Sequence, residues 1–373
     1  MKSTARKEKE QPETHIRAVQ AAAEMKALVY YGPGKRSFEK KPKPVLQSAS
    51  DVIVRIERTT ICGTDLHILK GDVPTVEEGR ILGHEGVGVV DQVGEAVTNF
   101  KPGDRVLISC ITACGRCGYC KKAMYSHCEN GGWILGHKID GTQAEFVRIP
   151  YGDTSLYRIP EGLSDDAMIL LSDILPTGFE CGVLNGKIQP GDSVAIIGAG
   201  PIGLASLITS LLYSPSEIIM IDTDANRLDV AKKFGATHGI QSKEESDTLE
   251  QIMKLTNGKG VNVAIEAVGI PATFELCQRV IAPGGHIANV GVHGKSAALH
   301  LEDLWSKNIT ITTRLVDTET TPLLLKMLES GKLRPEALVT HHFKMDEMMK
   351  AYDTFGNAAK ENVLKVAIEN PAA

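Results

Sequence analysis

Between residues 25 and 150 the apolar positions come in short runs broken by glycine, proline or aspartate. Asp51 to Glu57 alternates, with Val52, Val54 and Ile56 on one face, which is the pattern of a half-buried strand. Val87 to Val93 and Arg105 to Ile108 behave alike, and Met25 to Tyr30 opens the series. These runs predict a β-rich unit with long loops. Near residue 175 the pattern changes. Runs at Ser193 to Ile197, Glu217 to Asp222, Val261 to Ile265, Gly285 to Val290 and Ile309 to Thr313 are strand-like. Between them lie helix-like stretches at Pro201 to Leu212, Ala225 to Phe234 and Ala272 to Ile281, the second stopping at Gly235, a helix-ending residue. Such alternation predicts a parallel sheet with helices on both faces. From about 318 two more helical stretches precede a strand-like Val363 to Ile368, suited to return to the first unit's sheet.

Composition narrows the function classes. Of 373 residues, 42% are hydrophobic and 23% charged, enough for a large core and against disorder. The length favours two domains. A net charge of −5 argues against a nucleic-acid partner. No apolar run reaches the roughly 18 residues of a membrane span. Residues 1–24 mix basic and acidic side chains without an apolar stretch, so they resemble neither a secretory signal nor a mitochondrial presequence. They are expected to be a disordered extension or tag, and the protein is expected to be cytoplasmic.

Strand Ser193 to Ile197 runs into Gly198-Ala-Gly200-Pro201-Ile202-Gly203 and then a helix. This is a G-x-G-x-x-G dinucleotide fingerprint in its required context. Gly198 allows the tight turn, Gly200 the approach of a pyrophosphate, and Gly203 close helix–strand packing. The next strand ends at Asp222, 19 residues beyond Gly203. A carboxylate there accepts hydrogen bonds from ribose hydroxyls and repels a 2′-phosphate, which favours NAD over NADP. Asp224 adds to the repulsion, and Arg227 is the opposing feature.

Four of the eight cysteines, Cys114, Cys117, Cys120 and Cys128, fall within fifteen positions. Four thiolates in one loop enclose a tetrahedral ion, the mark of structural zinc. An iron–sulfur cluster is the competing reading; the spacing and the lack of a proline after the last cysteine favour zinc. Cys110, just before the cluster, is expected not to ligate, and Cys181 and Cys277 are expected to be core thiols. A second constellation joins Cys62-Gly-Thr64-Asp65-Leu-His67 to Gly83-His84-Glu85, 22 residues after Cys62. Cys and His together suit zinc.

These motifs, with Asp173-Ile-Leu-Pro-Thr177-Gly178, occur in the order and spacing of a known family. The chain resembles the zinc-dependent medium-chain alcohol dehydrogenases over about residues 25 to 370, and most closely the bacterial secondary-alcohol branch with Asp as third ligand. The resemblance implies an α/β fold: a GroES-like β-rich catalytic domain over 25–176 and 318–373, and a Rossmann doubly wound parallel sheet over 177–317. It implies two zinc ions per subunit, one held by Cys62, His84 and Asp173, where the best-known members have Cys in place of Asp, and one by the four-cysteine lobe. Glu85 is placed behind the catalytic metal. The implied reaction is hydride exchange between NAD and a small alcohol, ketone or aldehyde, with zinc as Lewis acid. Thr64 and His67 match the family's proton relay; Thr177, Val268 and Val292 match its nicotinamide contacts. Threonine, polyol and formaldehyde dehydrogenases are related alternatives, and a non-catalytic protein on the same fold is the reading from another class. Asp173 lies 45 residues after Cys128, shorter than in dimeric liver-type members, which implies a homotetramer.

Overall fold

The computed structural model describes residues 23–370. The N-terminal half is a set of antiparallel strands: β1 (Glu24–Tyr30), β2 (Arg36–Pro42), β3 (Val52–Thr60), β4 (Gly86–Val93), β5 (Arg105–Ile108), β6 (Phe146–Ile149) and β7 (Leu156–Arg158). β1 pairs with β2 as a separate ribbon. The sheet that follows has the order β14-β15-β3-β4-β5-β7, with β6 also on β3. Its outer two strands come from the far end of the chain, β14 (Val339–Lys344) and β15 (Lys365–Glu369). β15 pairs antiparallel with β3, as Ala367 on Thr60. The alternation in β3 sends Val52, Val54 and Ile56 into one core with Ile108, Val366 and Ile368.

The middle of the chain forms a second sheet from β8 (Ser193–Ile197), β9 (Glu217–Asp222), β10 (His238–Gln241), β11 (Val261–Glu266), β12 (Ile281–Asn289) and β13 (Thr310–Thr313). All are parallel and ordered β10-β9-β8-β11-β12-β13. Taken by position within this sheet, that is 3-2-1-4-5-6, the doubly wound order, which opens a ligand crevice beyond the ends of β8 and β11. Their β-branched residues are buried on both faces, which explains why the runs read as continuous rather than alternating.

Several boundaries differ from the sequence expectation. The helix expected over 201–212 is α-helical only over Pro201–Ser210 and ends in a 3₁₀ turn, Leu211–Tyr213, closed by Ser214 at φ 52°. The helix Ala225–Lys233 is followed by Gly235 at φ 106°, as its position suggested. Strand β14 was not expected, because Val-Thr-His-His-Phe-Lys carries too few apolar residues to show a period. The extension expected over 1–24 lies outside the described residues up to 22. Glu24 instead opens β1, opposite Pro42. Among the described residues no helix is long and apolar enough to cross a membrane.

Candidate active site

β3 ends at Thr60, and two residues on Cys62 caps the helix Gly63–Lys70. The Cys62 N–H donates to Asp65 Oδ2 at 2.9 Å, and the Gln143 amide donates to the same oxygen at 3.0 Å. This buried carboxylate fixes the thiol at the head of the helix. Gly83, at φ +91°, precedes His84. A Cβ there would meet Gln143 Cγ at 2.6 Å, so only glycine lets the two loops close. Asp173 caps the short helix Ile174–Thr177, and Thr177 Oγ1 donates to its Oδ1 at 2.7 Å.

These three elements meet. Asp173 Oδ2 lies 3.5 Å from Cys62 Sγ and 3.2 Å from His84 Nε2. With a Glu85 oxygen, one ligand atom from each of four side chains falls within 4.8 Å of the others. Burial pushes the Cys62 thiol and the Glu85 carboxyl up. Burial opposes charge on Asp173 too, but His84 and Thr177 hold its carboxyl below the usual range. The donor set of thiol, imidazole and carboxylate suits zinc, and the spacing is that of atoms around one ion. Glu85 sits behind them: its Oε1 is 2.7 Å from Lys365 Nζ, and its Oε2 has no partner. The sequence reading missed Lys365, because it arrives on β15 with no motif around it. Cys110, expected not to ligate with the lobe, lies outside its four-sulfur group. The structure turns Cys110 inward instead, its Sγ 3.6 Å from Asp173 Oδ1, since the peptide N–H of Cys110 is pinned by the Ser172 carbonyl.

The second cluster is Cys114, Cys117, Cys120 and Cys128, with sulfurs all within 4.8 Å of one another. The Cys114–Cys120 separation is 4.0 Å, close to the edge of about 3.8 Å that a tetrahedron of Zn–S bonds requires. Backbone N–H groups turn inward: Cys114 N donates to Cys128 Sγ and Cys120 N to Cys117 Sγ. Backbone and Asn130 hydrogen bonds overcome burial and hold the Cys114 thiol down to about 6. Ser126, within the lobe, donates through its N–H and hydroxyl to Asp317, which also pairs with Arg314. Cys181 and Cys277 are buried thiols, Cys181 reaching the wall of the cleft.

Three cavities converge here. One of about 560 Å³ is lined by Gly198, Gly200, Asp222, Arg227, Lys243 and Val268. Gly198 is at φ +102°, and a Cβ on Gly203 would lie 1.8 Å from its carbonyl oxygen, which accounts for two of the three glycines. Pro201 opens the helix and Ile202 faces the neighbouring cavity. Asp222 accepts from Ala199 N–H at 2.7 Å and Asp224 N–H at 2.9 Å, so the strand end and the glycine turn are locked together. The second cavity, about 590 Å³, holds Cys62, Thr64, His67 and Asp173 with Thr177 and Val292. Both cavities share Ala267 and Val268. A third, about 150 Å³, extends from Thr64, His84 and Asp173 to Val73, Trp133 and Leu315. Thr64 Oγ1 is 3.7 Å from Cys62 Sγ. His67 is 40% exposed at its side chain, with Nδ1 held by Asp72 at 2.9 Å.

Comparison with known proteins agrees with this geometry. The family model described as alcohol dehydrogenase GroES-like domain matches residues 48–161, and that described as zinc-binding dehydrogenase matches 201–330. An alcohol dehydrogenase of Cupriavidus necator is 37% identical over 372 residues, covering 93% of this chain and 99% of its own. Among solved structures, the apo form of zinc dependent alcohol dehydrogenase 2 from Streptococcus pneumonia is 56% identical. It covers 94% of this chain and 99% of that one, with a TM-score of 0.90. An alcohol dehydrogenase from Thermus sp. ATN1 has a TM-score of 0.86 at 34% identity, covering 93% and 100%.

Proposed function

The chain belongs to the zinc-dependent medium-chain alcohol dehydrogenases, and we propose that it exchanges a hydride reversibly between NAD and a small alcohol, ketone or aldehyde. The carrying observation is that Cys62, His84 and Asp173 converge, and that Cys62 and Asp173 line a cavity sharing Val268 with the glycine-turn cavity. Cys62, His84 and Asp173 would hold one zinc, and the four cysteines a second. When bound, zinc supplies a Lewis acid and NAD a hydride acceptor.

The chain's own groups move the proton. The Thr64 hydroxyl stands beside Cys62, where the reacting oxygen must lie, and takes up the alcohol proton as it releases its own toward His67 and solvent. His67 lines the same cavity as Thr64 and is 40% exposed at its side chain, which offers the proton a way to solvent. Its Nδ1 is occupied by Asp72, so Nε2 is the nitrogen free to carry the proton outward. Asp222 faces the adenosine cavity with its carboxylate ready for ribose hydroxyls, which is the ground for NAD over NADP; Arg227 lies in the same wall. Val73, Ile111, Trp133, Leu315 and Val316 give the innermost cavity an apolar lining, which suits an unfunctionalised alcohol better than threonine or sorbitol. Five cysteines in metal-ligand clusters and three further unpaired thiols suit a reducing compartment, so we assign the protein to the cytoplasm; the short interval from Cys128 to Asp173 is the ground for a homotetramer.

The test is NAD reduction with 2-propanol, ethanol, threonine and sorbitol, repeated with NADP and with a chelator. Chelator-sensitive turnover of the simple alcohols with NAD is expected. No turnover of any alcohol by the zinc-loaded protein would overturn the reading. Metal analysis should give two zinc ions per chain.

A further inference from the structure

Glu266 ends β11, at the point where the two large cavities meet, and its side chain is 0% exposed. Oε1 accepts from the N–H of Val268 at 2.9 Å, the N–H of Gly269 at 2.8 Å and the hydroxyl of Thr273 at 2.6 Å. The Glu266 carbonyl accepts from the N–H groups of Val290 at 2.8 Å and Gly291 at 3.1 Å. One residue thus ties together the loop after β11 and the loop after β12.

These loops line the cleft through Ala267, Val268, Gly291 and Val292. Packing does not hold them there. Val268 is 44% exposed and Val292 70% exposed, so their apolar side chains stand in the open cleft. What fixes the loop backbones is the polar pin. Hydrogen bonds to a buried carboxylate are the strong kind, and a loop bonded to one is restrained more tightly than by neutral acceptors. Gly291 and Gly269 add the close approach: a Cβ on Gly291 would lie 2.3 Å from Glu266 Oε2 and 2.2 Å from Gly269 N. Oε2 itself has no hydrogen-bond partner. His293 Nε2 faces it at 3.4 Å and bonds Asn289 Oδ1 at 2.9 Å. Asn289 in turn donates to the Gly291 carbonyl at 3.1 Å. The brace closes on itself.

We propose that Glu266, steadied by His293, is a positioning residue for the cofactor: it sets the two loop backbones against which the nicotinamide half of NAD lies. The inference rests on the NAD reading. It has a separable test in NADH binding by fluorescence titration and steady-state rates on the zinc-loaded protein. Glu266→Ala should weaken NADH binding and raise the KM for NAD by about ten-fold, the worth of hydrogen bonds to a charged acceptor, with kcat at saturating NAD changed less and both metals retained. Glu266→Gln keeps an acceptor at the Oε1 position and should restore most of the affinity. His293→Ala, which removes the ring nitrogen facing Glu266 Oε2, should weaken NADH binding about three-fold. The proposal is overturned if wild type binds NADH and neither Glu266→Ala nor His293→Ala binds it more weakly, or if Glu266→Ala lowers kcat with KM unchanged. Should Glu266→Ala fail to fold, unchanged NADH affinity in both Glu266→Gln and His293→Ala overturns it. Failure of wild type to bind NADH would overturn the cofactor reading instead, and this inference with it.

Discussion

The two metal-ligand clusters of this chain are built on opposite plans. The cysteine lobe takes four ligands from fifteen consecutive positions and closes them with its own backbone N–H groups. The cleft cluster takes three from elements far apart in sequence, Asp173 lying 111 residues from Cys62, and leaves a cavity beside them. Charge separates them further. Behind the cleft cluster lies the buried Glu85–Lys365 pair, whereas the lobe's sulfurs accept hydrogen bonds from backbone N–H groups and the Asn130 amide. A closed all-sulfur shell serves folding; an open shell with a carboxylate and a charged floor serves chemistry.

The contrast is broken or sharpened by a graded set of substitutions. Asp173→Ala should remove the cleft metal, leave one zinc per chain, and cut turnover by about a thousand-fold, since Lewis-acid assistance supplies several kcal/mol. Two zinc ions per chain in that variant would show that Asp173 is not a ligand. Thr64→Val should keep both metals and NADH affinity while lowering kcat about a hundred-fold, the range of a lost proton-transfer group; unchanged kcat would remove Thr64 from the relay. Cys120→Ser should do the reverse of Asp173→Ala. It should lose the lobe zinc and lower Tm by about 10 °C yet retain residual turnover below that Tm. Because Ser126 ties the lobe to Asp317, next in the chain to the cleft-lining Val316, the KM for substrate should rise as well. The smallest effect is chemical. In zinc-free protein, iodoacetamide should label Cys114 before Cys62, because the Cys114 thiol is held down to about 6 and the Cys62 thiol is pushed up by burial. The thiolate is the reactive form, so labelling of Cys114 should be nearly full above pH 7 and fall to half near pH 6, followed by mass spectrometry of peptides.

The same contrast explains what the sequence could and could not reveal. The lobe is legible because its ligands are neighbours in the chain, so spacing alone carries the geometry. The parallel sheet is legible because its central strands β8, β9 and β11 are apolar runs rich in β-branched residues, as at Ser193 to Ile197 before Gly198, whereas β10, His-Gly-Ile-Gln, shows no such run. The cleft cluster is only half legible. Cys62 and His84 show as motifs, but Asp173 is identified by family resemblance, since nothing local distinguishes a metal-binding aspartate from a helix cap, and here it is at the cap position as well. Lys365 and Glu266 act through tertiary contacts, and neither sits in a pattern. Cys110 is rightly read as a non-ligand of the lobe, but closeness in sequence says nothing about which way a buried thiol turns, so its approach to Asp173 shows only in the structure.

The Glu85–Lys365 pair joins positions 280 residues apart. At ribosomal rates of about 5–20 residues per second, Glu85 waits roughly 15 to 60 s for its counter-ion during synthesis. Throughout that interval β3 lacks β15, and over its last 52 or so residues, about 3 to 10 s, all six strands of the parallel sheet have been made while the strand that will close the catalytic sheet has not. The nascent protein therefore passes through a stage with a finished cofactor domain and an unfinished catalytic one, its active-site carboxylate still facing water.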